Sequence, residues 1–451
     1  MTYSEEIARF VVNLKFNDIP LGVVQRAKEL MLDTLGVALA GSNESCVQNA
    51  LNAFINIGAN QNNANLKLCQ VWGKNANLGS DYTAMINGIS AHALDFDDTH
   101  MEAILHASAI LAPLCLSYGF SICDNGKKIL KAFIAGWEVG ARVGIASKGS
   151  FHKRGFHTTA ICGHFASVVA CGVLLNLNKE QLINALGIAG SFASGVNEFL
   201  SNGSNSKTIH IANAIKNGIF VANLAKANLT GPLSIFEGRD NIFATFGIDE
   251  LCDKSELTKG LNDIWQVLQV SIKPYPCCHF VHGLIDCALA LRADGLRSAD
   301  IEKIHCFVDE VPSSFICDPI NAKYAPQSAY QAKFSMPFLM AVAFIDGFVN
   351  LSSYQNLNRA EVLEFAQKID YEKRQSEGFP KYFPGHTLVR LKNGSEVKKD
   401  IFINKGNFDN PLSFNELKLK FLSNAKLALS ESETINLLDR LMNLEAQREF
   451  V

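Results

Sequence analysis

The 451-residue sequence carries little charge and almost no net charge: charged residues are 19% of it and the formal balance is −3. No global field therefore favours nucleic acid or an anionic membrane surface, and neither is expected as a partner. Any anion must be held by a few locally placed cations. No apolar run reaches the roughly 20 residues that span a bilayer. The opening Met1-Thr2-Tyr3-Ser4-Glu5-Glu6 is acidic and begins a helix, which excludes a secretory signal and makes the cytoplasm the expected location. There is no internal repeat, no low-complexity segment, no serine nucleophile elbow and no dinucleotide-binding glycine pattern. Twelve cysteines in this length do not make a disulfide scaffold. Cys115, Cys162, Cys171 and Cys287 lie inside apolar runs and read as reduced, buried thiols.

What is present is apolar helix. Hydrophobic residues make up 48% of the chain, enough for a large core and two or three domains. Helices are expected over 4–15, capped by Ser4, and over 20–40, with Pro20 in the first turn and Gly41 at the end. Val24, Ala27, Leu30, Met31, Leu35 and Ala38 form a core stripe. Residues 43–80 read as a helix, an extended piece and a loop. Helices are then expected over 81–99, 106–122, 126–147, 158–177 (capped by Thr158 or Thr159), 179–200 and 208–228. Small residues at helical spacing (Gly136, Gly140, Gly144; Gly187, Gly190, Ser194) imply close helix packing. Character changes near 265. Residues 303–311 alternate as a strand, 327–348 read as helix, and strands 387–392 and 398–403 flank the Asn393-Gly394 hairpin turn. Ser413-Phe414-Asn415-Glu416 is a capping box opening a helix, and another follows over 431–447. The expected fold is mainly α: a large all-helical domain over 1–266, completed by 405–451, and a smaller α/β domain over 267–404.

The chemistry-bearing stretch is 92–108, with four carboxylates and three imidazoles amid apolar sequence. On a helix over 81–99, His92, Asp95 and Thr99 fall along one edge of the stripe Met85, Ile86, Ile89, Ala93 and Phe96. This pattern reads either as one wall of a polar site or as a helix end with a solvated acidic turn. Asp97 and Asp98 point elsewhere, to cap or to pair. Further candidates are His106, His157, Lys207 after the polar loop 201–206, and the stiff turn Lys273-Pro274-Tyr275-Pro276-Cys277-Cys278-His279. Adjacent cysteines chelate one tetrahedral ion poorly, and no second cysteine pair stands at zinc-finger spacing, so no metal is expected. A thiolate nucleophile at Cys278, with His279 or His282 as base, lacks an identifiable orienting residue. Gly73-Lys74 and Gly79-Ser80 lack the spacing of a phosphate loop. The remaining set, acid/base groups (Asp95, His106, His157, His279) with isolated cations (Lys207, Lys273), suits proton abstraction beside a carboxylate, with no cofactor required.

These stretches together resemble the MmgE/PrpD family of 2-methylcitrate dehydratases, cis-aconitate decarboxylases and iminodisuccinate epimerases. The resemblance rests on LDTLGVALAG, HALDFDDTH with HAS after it, GFHTTAICGHF, SNSKTIHIANAIKNGI, LTGPLSIFEG, KPYPCCHFVHGLID and NPLS, in order along nearly the whole chain. It implies a helical domain with an α/β lid, a homodimer, and a site between the two domains. It further implies that Asp95, His106, His157 and Lys207 are catalytic and that Thr99, Lys273, Cys278 and His279 bind a small polycarboxylate. Residues 314–337 would shape the specificity. Two departures stand out. His106-Ala107-Ser108 replaces His-Pro-Ser, and Cys278 stands where decarboxylase-type members place a histidine. The expected activity is therefore a 2-methylcitrate or citrate dehydratase. The alternatives are a dicarboxylate epimerase and a non-catalytic polycarboxylate binder.

Overall fold

A computed structural model describes residues 1–60 and 67–450. The part of the expected extended piece that falls on 61–66 lies outside the described residues. The chain is mainly α-helical and forms two compact units, Met1–Ile272 with Ser413–Val451, and Lys273–Leu412.

In the first unit the core is a stack of apolar helices. Gly126–Ala146 packs on Thr158–Leu175, which packs on Ser206–Lys226, which in turn packs on Ser80–His92. The glycine stripe sets these distances. A Cβ on Gly136 would stand 2.9 Å from the Ala166 carbonyl oxygen, and one on Gly144 would stand 2.6 Å from that of Ala103. Thr158–Leu175 has the length and apolarity of a membrane span, but 94% of it is buried within the fold, so it reads as a core helix. Leu21–Gly41 packs against both Ser80–His92 and the late helix Phe414–Ala425.

Several expected boundaries move. The first helix is capped by Thr2, not Ser4, in a reciprocal box with Glu5. Thr158–Leu175 follows His157 with no side-chain cap, because both threonines lie inside the helix and the cap position falls to His157; Thr159 instead accepts from the His106 amide. The segment expected over 106–122 contains a π-helical stretch, Leu114–Gly119, directly after Pro113. A proline carries no N–H for the regular ladder, which favours such a shift. The helix expected over 179–200 stops at Phe192, and the one expected over 208–228 begins at Ser206. Strands are not confined to the region after 267. Leu68–Gln70 pairs with Asn77–Gly79, and Thr99–His100 pairs with Val270–Ser271.

In the second unit, four strands run in the order Ile369–Lys373, Ile301–Val308, Gly385–Leu391, Glu396–Ile401. The first pair is parallel and the others antiparallel. Ile301, Ile304, Cys306 and Val308 point into an apolar core shared with helices His282–Ala293 and Met336–Asp346. The helix expected over 327–348 is two pieces, Ala329–Ala332 and Met336–Asp346, and the second ends at left-handed Gly347. Gly394, at φ 85°, makes the expected hairpin turn.

Candidate active site

The site-bearing stretch does not continue the helix expected over 81–99. That helix ends at His92, and the chain turns back through Asp95, which sits in the left-handed region at φ 55°. Aspartate tolerates that conformation better than most residues. The backbone then enters the short strand Thr99–His100, and a loop closed by mutual backbone bonds between His100 and Leu105 returns it to His106. Asp95 and Thr99 are therefore placed by a turn and a strand, not by a shared helix face.

This turn folds the acids inward. Asp97 and Asp98 are fully buried, which removes the solvated-turn reading. The Nδ1–H of His92 donates to Asp97 Oδ2 at 2.7 Å, with both side chains inaccessible to solvent. The same oxygen lies 3.8 Å from His106 Nδ1. His106 Nδ1 stands 2.6 Å from the Asp98 carbonyl oxygen, which can only accept, so Nδ1 carries the hydrogen. A neutral His106 then has its lone pair on Nε2, the arrangement of a base whose tautomer is fixed from behind. Thr99 Oγ1 lies 3.3 Å from the same nitrogen, and Thr159 Oγ1 accepts from the His106 amide at 3.2 Å. Asp98 is held far above the usual carboxylate range, first by burial and then by Asp33 and Asp97, with the Ser108 hydroxyl working the other way. Trp137 donates to that hydroxyl at 3.0 Å.

A second group comes from the helices behind. His157 stacks on His92 with ring centroids 5.8 Å apart, and its Nδ1 is 3.1 Å from His210 Nδ1. One of these nitrogens must donate and the other accept. Burial pushes His157 well below the ordinary histidine range, and His92, Lys207, His210 and His106 add to the shift. His210 is lowered to about 4, by burial first and then by His92 and Lys207. Both rings are therefore neutral near neutral pH. Lys207, in the first turn of Ser206–Lys226, bonds Asp95 Oδ1 at 2.9 Å, and each of these side chains keeps about a fifth to a quarter of its surface exposed (25% and 21%). His164 Nδ1 donates to the Ala160 carbonyl at 2.7 Å, and its Nε2 accepts from Asn217 at 3.0 Å, tying the helix that follows His157 to the helix of Lys207 and His210.

The first unit thus gathers Asp95, Thr99, His106, His157 and Lys207 around the 92–106 turn. Lys273, Cys278 and His279 belong to the second unit and are buried. The turn that carries them is pinned from several sides. Tyr275 donates to Asp286 at 2.6 Å, Tyr354 to the Pro276 carbonyl at 2.9 Å, and the Cys278 amide to the Lys333 carbonyl at 3.0 Å. Asn404 Nδ2 lies 3.4 Å from His279 Nε2. Among the described residues no group of three metal-ligating side chains forms. From the sequence, His210 reads as a cap or a satisfied structural group at a helix start, and Asp97 as an acid that caps or pairs outside the site. The missed signal for His210 was spacing: Lys207, His210, Asn213 and Asn217 form a polar stripe at helical period on an otherwise apolar helix.

Residues 5–252 match the MmgE/PrpD N-terminal domain, and residues 275–444 match the MmgE/PrpD C-terminal domain. The chain belongs to the MmgE/PrpD family. Within this family it is similar to a cis-aconitate decarboxylase of Aspergillus terreus, 28% identical over 98% of this chain and 92% of the relative. It is also similar to the cis-aconitate decarboxylases of Mus musculus (27% identical, 98% and 90% covered) and Homo sapiens (26% identical, 98% and 92% covered). The MmgE/PrpD motifs read in the sequence thus include the turn, the His157 segment and the Lys207 helix just described.

Proposed function

We propose that this chain is a cofactor-independent lyase that acts on a small di- or tricarboxylate by proton transfer at a carbon next to a carboxylate. The observation that carries the reading is the pair of histidines at the 92–106 turn. His106 has its tautomer fixed by a backbone carbonyl, and His157 is kept neutral by burial beside the Asp95–Lys207 pair. Lys207 offers a cation to a substrate carboxylate, and Asp95 orients it. Neutral His106 or His157 takes the α-proton. The imidazolium so formed, or the other ring or Asp95 once that proton has been passed to it, delivers the proton to the departing group. Thr99 orients substrate or His106, and Lys273, Cys278 and His279 are assigned to further carboxylate and hydroxyl contacts. We further assign the α/β unit as a lid and the chain as a homodimer; light scattering of the purified protein tests the dimer.

The substrate proposed first is 2-methylcitrate or citrate. There the α C–H electron pair becomes the C=C bond, the adjacent C–O bond breaks, and the hydroxyl leaves as water with the proton it receives. Cys278, in place of a histidine, supports this choice over decarboxylation. A second reading, decarboxylation of cis-aconitate, is favoured by the relatives' names. In it a C–C bond breaks to release CO2, its electron pair stays on carbon, and the carbanion is protonated by a ring that has taken a proton from water. The test is purified full-length protein with 2-methylcitrate, citrate and cis-aconitate, following ultraviolet absorbance of the unsaturated acid and CO2 release. An absorbance rise with either hydroxy acid supports dehydration, and CO2 release from cis-aconitate alone moves the assignment to the second reading. No turnover of any of the three sinks the lyase reading, and an undiminished rate in His157→Ala removes that residue from the mechanism.

A further inference from the structure

The turn that carries Asp95 and Asp97 is held by a residue far away in sequence. Lys420 sits on the helix Phe414–Ala425, which the Ser413–Glu416 capping box opens. That helix lies close against Leu21–Gly41. A Cβ on Gly36 would stand 3.3 Å from the Cα of Phe421, so a glycine there allows the approach. Lys420 is thereby almost buried, and its ammonium makes three contacts at once. It bonds Asp33 Oδ1 at 2.6 Å, donates to the Phe96 carbonyl at 3.2 Å, and stands 3.8 Å from the centre of the Phe96 ring. Phe96 lies between Asp95, which meets Lys207, and Asp97, which meets His92 and His106.

A buried ion pair is a poor device for stability alone, since apolar residues of similar volume usually do as well or better. Here the pair is retained at the point where a left-handed residue needs an external hold. The alternative to a positioning role is plain neutralisation: Asp33 is fully buried, and Lys420, with a smaller part from Arg26, counters the effect of burial on its carboxyl. The two roles separate on removal of Asp33. Neutralisation of Asp33 then has no purpose, and whatever Lys420 still does for the 94–99 backbone acts through Phe96.

We propose that Lys420 is a positioning residue for the active-site turn: through the Phe96 carbonyl and ring it fixes the backbone from which Asp95 reaches Lys207 and Asp97 reaches the two histidines. The proposal rests on the lyase reading for its kinetic consequence, but not for its structural one. The test compares Asp33→Asn with the double variant Asp33→Asn/Lys420→Met in the full chain. Two measurements are made: kcat and KM on the polycarboxylate that the wild type turns over, and hydrogen exchange of the 94–99 amides by mass spectrometry. The double variant is expected to melt cooperatively like Asp33→Asn and to exchange faster at 94–99. Its kcat should fall at least about tenfold below that of Asp33→Asn, with a smaller change in KM, because a misplacement of about 1 Å costs up to about a hundredfold. A kcat within about twofold of Asp33→Asn, with unchanged exchange, overturns the proposal and leaves neutralisation. If the double variant does not fold, Lys420→Arg decides. Guanidinium keeps the charge beside Asp33 but does not reproduce a compact ammonium between a carbonyl and a ring face. Faster exchange at 94–99 in that variant supports positioning, and wild-type exchange overturns it. Should the wild type turn over no polycarboxylate, the lyase reading fails and the exchange comparison still decides the role of Lys420.

Discussion

Acid sensitivity of this fold is expected to run through buried neutral histidines, and His164 isolates the effect. Its ring is 1% exposed. Nδ1 donates to the Ala160 carbonyl and Nε2 accepts from Asn217. A second proton would meet desolvation and a donor facing a donor, and the pKa is lowered from 6.5 to about 4, chiefly by burial. The stabilising contribution of a depressed histidine is complete above its unfolded value, near 6.5, and is lost as pH falls toward about 4. Each pH unit in which only the unfolded ring is protonated costs about 1.4 kcal/mol, so the loss between pH 7 and pH 5 integrates to about 2 kcal/mol. His164→Gln removes this titration. His100, also lowered to about 4, remains in both proteins and cancels in the difference; His210, lowered to about 4 as well, cancels apart from the last and smallest part of its shift, which His164 causes. The raised acids Asp33, Asp98 and Glu138, which act in the opposite direction, cancel too. The assay is urea unfolding of both proteins at the two pH values. The variant, whatever its stability at pH 7, is expected to lose about 2 kcal/mol less on acidification. An equal loss in the two proteins refutes the argument.

Two shorter predictions follow from the same geometry. Asp97→Asn takes the charge from the oxygen 2.7 Å from His92 and 3.8 Å from His106. It should lower kcat roughly a hundredfold or more with a lesser effect on KM, as expected for a group that tunes general acid–base catalysis; steady-state kinetics with unchanged kcat would remove Asp97 from the site. Gly144→Ala forces a Cβ to within 2.6 Å of the Ala103 carbonyl. It should destabilise the protein by about 1–3 kcal/mol, as overpacking usually does, and calorimetry showing no lowered Tm would contradict the close packing described.

Much of the helical architecture was legible because its signals are local. The Leu21–Gly41 stripe, the Ser413–Glu416 box and the Asn393-Gly394 turn each announce themselves within a few residues. What was not legible depends on tertiary partners. Periodicity carried the helix on to Thr99, because nothing in HALDFDDTH is a strong breaker. The chain turns instead at Asp95, where Lys420 bonds Phe96 from a helix 324 residues further along the chain. Asp97 and Asp98 read as acids that cap or pair away from the site; Asp97 does pair, but its partner is a histidine on the preceding helix, which no local pattern names. His210 read as a lone polar group, because its partner His157 arrives from another helix. The family resemblance names Asp95, His106, His157 and Lys207 without saying how they are held.

The division of the first unit around the second has a consequence for synthesis. Translation adds residues at about 5–20 per second and domains tend to fold as they emerge. Residues 273–412 form a continuous unit and are made before 413–450. Until the helix Phe414–Ala425 leaves the ribosome, the face of Leu21–Gly41 that it covers is bare, and Asp33 has no ammonium opposite it. The nascent chain thus reaches its second unit with the first unfinished, and the turn bearing Asp95 and Asp97 is among the last parts to gain its full set of contacts. A released chain ending before 413 would therefore be expected to hold a folded sheet and an unfinished 92–106 turn, with the face of Leu21–Gly41 that Phe414–Ala425 covers left exposed.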